Sequence, residues 1–183
     1  MGKVLVACEY SGIVRDAFLA KGHDALSCDL RETLQPGPHV QGDVAPLLGE
    51  PWDLVIAHPP CTYLTDIGWH GPKRKTAERL KKAQHAMDFF MECLNANAPK
   101  VCVENPLMAP FIAKSIRKHD DTVRPTQHGH ASTKLYRFWL RGLPPLMATR
   151  VTPLRVRCLE HSRSDLFYPG IAAAMADQWG SLL

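Results

Sequence analysis

The sequence predicts a single α/β domain, a three-layer sandwich on a mainly parallel sheet. Short apolar runs of strand length alternate with helix-period segments through the first half of the chain, the pattern of strands joined by crossover helices. Acidic or thiol-bearing residues close several of these runs, where an open parallel sheet presents its ligand-binding edge. A chain of 183 residues with 45% hydrophobic content holds one core and is too short for two ordinary domains.

Taken in order, Lys3 to Cys8 is a buried strand. Gly12 to Lys21 sets Ile13, Val14, Ala17 and Phe18 on one helical face and stops at Gly22. A second strand, Ala25 to Cys28, ends at Asp29. Pro36, Gly37 and Pro38 break the chain before a short run, His39 to Gln41, which reaches Gly42-Asp43-Val44. Asp53 to Ala57 is the next strand and delivers His58-Pro59-Pro60-Cys61.

The clearest helix follows, with Leu80, Ala83, Met87, Phe90, Met91 and Leu94 at three- and four-residue steps. Lys100 to Val103 is another buried strand and ends in Glu104-Asn105-Pro106; Pro106, Met108 and Phe111 introduce a short helix. Gln127 to His130 reads as a loop and Leu135 to Leu140 as a strand, before the turn-rich Arg141 to Pro145. Met147 to Arg163 is basic and irregular. A final helix, opened by Pro169-Gly170, places Ile171, Met175 and Trp179 on one side.

Six scattered cysteines, three in or beside apolar runs, suit a reduced, cytoplasmic protein. No window of about 18 apolar residues suggests a membrane span. A net charge of +4 and a pI near 8.8 lean toward a polyanionic partner.

The polar residues at the strand ends carry the chemistry. Asp29, at the end of the second strand, suits adjacent ribose hydroxyls, and Leu30 beside it suits an adenine face. Only Gly12 stands where a dinucleotide fingerprint has three glycines, so an adenosine-containing cofactor without phosphates fits better than a pyrophosphate. Cys61 sits in a turn stiffened by two prolines, placed to act as a nucleophile. Glu104 follows three apolar residues, and a partly buried carboxyl holds its proton more tightly, so it can donate to a ring nitrogen. Cys158 and His161 supply half a zinc spacing, and His128 and His130 flank a glycine; two ligands make no closed site, so no metal is expected.

The succession Glu9-Tyr10-Ser11-Gly12, Cys28-Asp29-Leu30, Gly42-Asp43-Val44, His58-Pro59-Pro60-Cys61 and Val103-Glu104-Asn105 resembles the motif order of the DNA cytosine carbon-5 methyltransferases, with small phage and prophage members most similar. The resemblance covers roughly the first 140 residues, and Pro-Pro-Cys with Glu-Asn are its most specific elements. It implies a class I, Rossmann-like methyltransferase fold with an antiparallel strand, S-adenosylmethionine as cofactor, and DNA as substrate. It also implies that Cys61 attacks carbon 6 of a flipped cytosine while Glu104 contacts ring nitrogen 3. Carried over by position, Glu9, Tyr10, Ser11, Gly12, Asp29, Leu30, Asp43, Val44 and Pro59 hold the cofactor. Arg137, or failing it Lys134, stands for the arginine that holds the pyrimidine. Pro169 to Ala172 stands for the final family motif.

The family's target-recognition domain, about 100 residues or so and a small domain in size, is replaced by a short basic segment, residues 140–169. That implies short or relaxed specificity, a homodimer, or a helper protein, with Arg150, Arg155, Arg157 and Arg163 on phosphates. The loop Thr62 to Arg79, with Lys73, Arg74 and Lys75, is either a lid over the flipped base or a solvated basic surface. RNA or a free cytidine nucleotide as substrate, and a catalytically silent nucleic-acid-binding protein, stand as alternatives.

Overall fold

The structure is a computed structural model that describes residues 1–69, 76–153 and 166–183. Lys73, Arg74, Lys75, Arg155, Arg157, Cys158, His161 and Arg163 lie outside them.

Seven strands form one sheet in the order β3-β2-β1-β4-β5-β7-β6: β1 (Lys3–Ala7), β2 (Asp24–Asp29), β3 (His39–Gln41), β4 (Leu54–Ala57), β5 (Lys100–Asn105), β6 (Asp121–Val123) and β7 (Tyr136–Arg141). The first five are parallel, and β7 runs antiparallel to both β5 and β6. The Rossmann-like three-layer α/β architecture expected from the sequence is thus present. Its cause is visible in β1 and β4, where Val4, Leu5, Val6 and Leu54, Val55, Ile56 are all fully buried. A strand covered on both faces needs apolar residues at every position rather than alternation.

One face packs Val4, Val6, Ile56, Cys102 and Phe138 against α1 (Ile13–Leu19) and α5 (Pro169–Gln178). The other packs Leu5, Val55, Val101, Val103 and Trp139 against α3 (Ala77–Leu94), with α2 (Ala45–Leu48) and α4 (Pro110–Ala113) alongside. Ile171 and Met175 of α5 and Trp179 just after it are fully buried together, as the sequence predicts. In α3 the expected face is rotated: Ala83, Phe90, Cys93 and Leu94 are buried, whereas Leu80 and Met91 are exposed.

Because β2 and β3 lie on one side of β1 while β4 and β5 lie on the other, the chain reverses its direction across the sheet beside β1. This topological switch point opens a crevice at the carboxyl ends of β1 and β4. Cys8 marks the bend out of β1, with a left-handed φ of 57° that is unusual for a non-glycine residue. No helix among the described residues is long and apolar enough to cross a membrane.

Candidate active site

Two adjoining cavities open at that crevice. The first, about 370 Å³, is lined by Glu9, Tyr10, Ser11, Pro59, Cys61 and Glu104 among others. The second, about 520 Å³, is lined by Leu30, Asp43, Val44 and Phe89. Cys8, Asp29, Arg31 and Pro60 border both, so the two form one two-lobed site.

The second lobe has the walls of a nucleoside site. Asp29 ends β2 and Asp43 follows β3, while Val44 and Leu30 supply apolar surface near them. The first turn of α1 is already closed to anions. Glu9, only 4% exposed, accepts from the backbone N–H of Val14 at 2.7 Å and of Arg15 at 3.2 Å, and Ser11 Oγ accepts from Ile13 N–H. A phosphate here would meet a carboxylate in the place where helix N–H groups normally bind it. The donor set therefore fits an adenosine-type group without phosphates. Gly12, with φ 76°, adopts the left-handed turn this entry requires, and a Cβ there would approach Arg15 Nη2 to 2.5 Å.

Arg15, absent from the sequence expectations, is fully buried and organises the second lobe from behind. Its guanidinium donates to Ser27 Oγ, Thr33 Oγ1 and the carbonyls of Gln35 and Pro36, and it pairs with Asp16. It thereby fastens the β2–β3 connection to α1. Arg31 lies 3.4 Å from the centre of the Tyr10 ring, a cation–π contact at the border of the two lobes.

In the first lobe, the turn after β4 carries Cys61, whose carbonyl accepts from Leu64 and Thr65 N–H. Asn105, buried at the end of β5, donates from Nδ2 to the Pro59 carbonyl at 3.0 Å. Burial pushes the Cys61 thiol up, the negative charge of Glu104 pushes it further, and its own backbone hydrogen bond and Lys134 pull it down. The resting group is a thiol rather than a thiolate.

Glu104 faces this cavity together with His58, Tyr136 and Lys134. Arg137 does not. In β7 it pairs with Asn105, whereas Glu104 pairs with Phe138, so Arg137 points to the opposite face of the sheet. There its charge helps hold the His119 imidazole below its ordinary range, after the larger effect of burial. On the Glu104 side of the cavity the described cation is Lys134, with Nζ 4.5 Å from the Tyr136 ring centre, while Arg31 lies at the border of the two lobes.

Of the cofactor residues expected from sequence, Asp29, Leu30, Asp43 and Val44 line the second lobe and Glu9, Tyr10, Ser11 and Pro59 the first, while Gly12 shapes the turn behind them. The sequence expectations assign no role to His58, Tyr136, Asn105 or Phe167. Strand parity in Tyr136-Arg137-Phe138 was the available signal, since the residue in step with buried Phe138 must share its face.

His128 and His130 act as ties. His130 Nε2 accepts from Gly170 N–H at the start of α5, and His128 Nδ1 meets Thr149 Oγ1. Among the described residues no group of three or more potential ligands could hold a metal. Arg79, in the expected lid, stacks against Tyr63 and Trp69. Arg150 is exposed, and its backbone ties to Gln127 and Gly129.

No protein-family model matches the sequence, and no curated protein matches it significantly. Among solved structures, one similar chain is described as a DNA modification methyltransferase encoded within an E. coli prophage, at 15% identity and a TM-score of 0.47, over 75% of this chain and 45% of that one. Another is a DNMT2 mutant from Spodoptera frugiperda, at 14% identity and a TM-score of 0.42, over 78% of this chain and 50% of that one. This chain spans about half the length of those it matches.

Proposed function

We propose that this chain transfers a methyl group from S-adenosylmethionine to carbon 5 of cytosine in DNA, through a covalent bond between Cys61 and carbon 6. The observation that carries this reading is the two-lobed site: Cys61 and Glu104 face one lobe, and the lobe suited to a nucleoside opens beside it. Asp29, Asp43, Leu30 and Val44 are the residues to hold the adenosine. When bound, S-adenosylmethionine supplies an electrophilic methyl on a sulfonium sulfur.

Glu104 sharing a proton with ring nitrogen 3 no longer sets a negative charge beside Cys61, and Lys134 continues to favour the thiolate. The proton that the Cys61 thiol gives up is the one that Glu104 shares with nitrogen 3, so thiolate formation is tied to entry of the base. Attack of Cys61 Sγ on carbon 6 forms the C–S bond and moves electron density to carbon 5, the position to be methylated. Once carbon 5 carries the methyl, transfer of its proton to solvent re-forms the ring double bond, breaks the C–S bond and releases the Cys61 thiolate. Asn105 keeps the attacking turn in register with Glu104 throughout. With a short basic segment where a recognition domain would lie, a second copy of the chain or a helper protein completes target selection.

Bisulfite sequencing of DNA from cells that express the protein tests the proposal. Converted-resistant cytosines are expected with the natural chain and none with Cys61→Ala. Unmodified DNA from the natural chain, or modification that survives Cys61→Ala, overturns it.

A further inference from the structure

His58, Glu104 and Tyr136 stand in a row across three neighbouring strands. The order β4-β5-β7 sets Glu104 in the middle. His58 directly follows Ala57, which is in register with Val103, and Tyr136 lies two residues from Phe138, the cross-strand partner of Glu104. His58 Nδ1 is 3.7 Å from Glu104 Oε2. Phe167 backs both outer members, with its ring centre 4.9 Å from that of His58 and 4.8 Å from that of Tyr136. All of these residues line the first lobe.

Two atoms of the row are buried without a partner among the described residues: His58 Nε2 and Tyr136 Oη. Buried polar atoms are nearly always hydrogen-bonded, because desolvation without a partner is destabilising. Two such atoms on one cavity wall, flanking a carboxylate and backed by an aromatic ring, are complementary to a planar ligand with polar groups along one edge.

We propose that this row reads the edge of the pyrimidine: Tyr136 Oη donates to the 2-carbonyl, Glu104 meets nitrogen 3, and His58 Nε2 accepts from the 4-amino group. The inference rests on the methylation reading only in taking a pyrimidine as the occupant. With its proton on Nδ1, toward Glu104, the imidazole keeps a lone pair on Nε2. That lone pair attracts an amino hydrogen and repels a 4-carbonyl, so the row selects cytosine over uracil and thymine. Leaving polar groups of a site unpaired is what rejects the wrong analogue.

Fluorescence anisotropy with Cys61→Ala protein, which forms no covalent bond, tests this. The labelled duplexes differ only at one mispaired nucleotide: cytosine, uracil or an abasic site. The cytosine duplex is expected to bind tightest. Adding Tyr136→Phe weakens the cytosine and uracil duplexes alike, about three- to ten-fold, the worth of one hydrogen bond, and leaves the abasic duplex unchanged. Adding His58→Gln, whose amide presents either a donor or an acceptor, brings cytosine and uracil to within about two-fold of each other.

Equal binding of the three duplexes, or cytosine affinity untouched by Tyr136→Phe, overturns the proposal. Melting curves separate this role from a structural one: Tyr136→Phe keeps or raises the Tm because the hydroxyl has no internal partner to lose, and a lowered Tm also overturns the proposal. Since no methyl transfer is measured, base discrimination here with unmodified cellular DNA overturns methylation alone. Modified DNA with no effect of Tyr136 or His58 overturns the edge-reading row alone.

Discussion

Asn105 Nδ2 donates to the carbonyl of Pro59 across 3.0 Å of buried interior, so the strand that ends in Glu104 also holds the turn that carries Cys61. Cys61 and Glu104 are thus fixed to one another by backbone and amide rather than by contact with a substrate. Geometry of this kind is what converts a weakly reactive pair into an oriented one.

Asn105→Ala should lower stability by about 1–3 kcal/mol, because it leaves the buried Pro59 carbonyl without its donor. The same variant should lower kcat more than it raises KM, since the turn loosens without altering the cofactor lobe. Thermal melting and steady-state methyl transfer check the two effects. A variant with unchanged kcat would show that the turn holds itself.

The pH dependence of Cys61 alkylation follows from its surroundings. Burial and then Glu104 raise the thiol above its ordinary range, so the thiolate fraction near neutrality is small and iodoacetamide reacts slowly until the pH is well into the alkaline range. Glu104→Gln removes a charge that disfavours the thiolate, and the alkylation profile should move to lower pH. Lys134→Ala removes one that favours it and should move the profile to higher pH. Shifts of the opposite sign would exclude this electrostatic arrangement.

Glu9→Gln should weaken the entry to α1. The Glu9 carboxylate accepts from Val14 and Arg15 N–H and from Ser11 Oγ at 2.9 Å, and an amide keeps one acceptor while losing the charge. A loss of about 1–2 kcal/mol, typical of a helix cap with its dipole interaction, is expected in urea denaturation. A neutral result would mean that the helix start is held by Ser11 and Gly12 alone.

Arg15→Ala should be the most damaging of these changes. It removes the one buried guanidinium that donates to the Ser27 and Thr33 hydroxyls and to the Gln35 and Pro36 carbonyls, although Ser27 keeps its bond to His39 and Thr33 its bond to Gln35. A loss of about 3–5 kcal/mol, as for a broken buried ionic network, should appear in chemical denaturation. Arg15→Lys should recover only part of it, because a single ammonium cannot span the same fan of acceptors. Calorimetric titration with S-adenosylmethionine should show weakened binding in the lysine variant, through the β2–β3 connection.

Much of this architecture is legible in the amino-acid order because β1, β4 and the body of β5 are covered on both faces and so read as unbroken apolar runs, while β2 is interrupted only by Ser27. The elements that escape are those whose signal is too short or too polar. α2 spans only Ala45–Leu48, and β6 is Asp121–Val123, where two of three residues are polar; β6 exists because β7 offers it a partner. The rotation of α3 has a similar origin. Cys93 is as apolar in packing as Leu or Met, and its inclusion moves the buried face away from Leu80 and Met91. Arg137 shows how sharply a strand punishes a one-residue misreading, since neighbouring positions serve opposite faces. The positions of Cys61 and Glu104 at the ends of β4 and β5 were readable. Tyr136 was not, because a tyrosine in an aromatic strand looks like core until its hydroxyl is seen to lack a partner.

The antiparallel closure of the sheet has a kinetic consequence. Cys61, Glu104 and Tyr136 come from segments far apart along the chain and meet only once β7 has docked on β5. Pairings of such long range are the slow events of folding, because the loop between them must be closed before any contact rewards it. Collapsed chains that already have β1, β2 and β4 would therefore hold much of the nucleoside lobe and, of the pyrimidine row, only His58. During refolding, recovery of cofactor binding should precede recovery of methyl transfer, and the lag between them would time the arrival of the last strands.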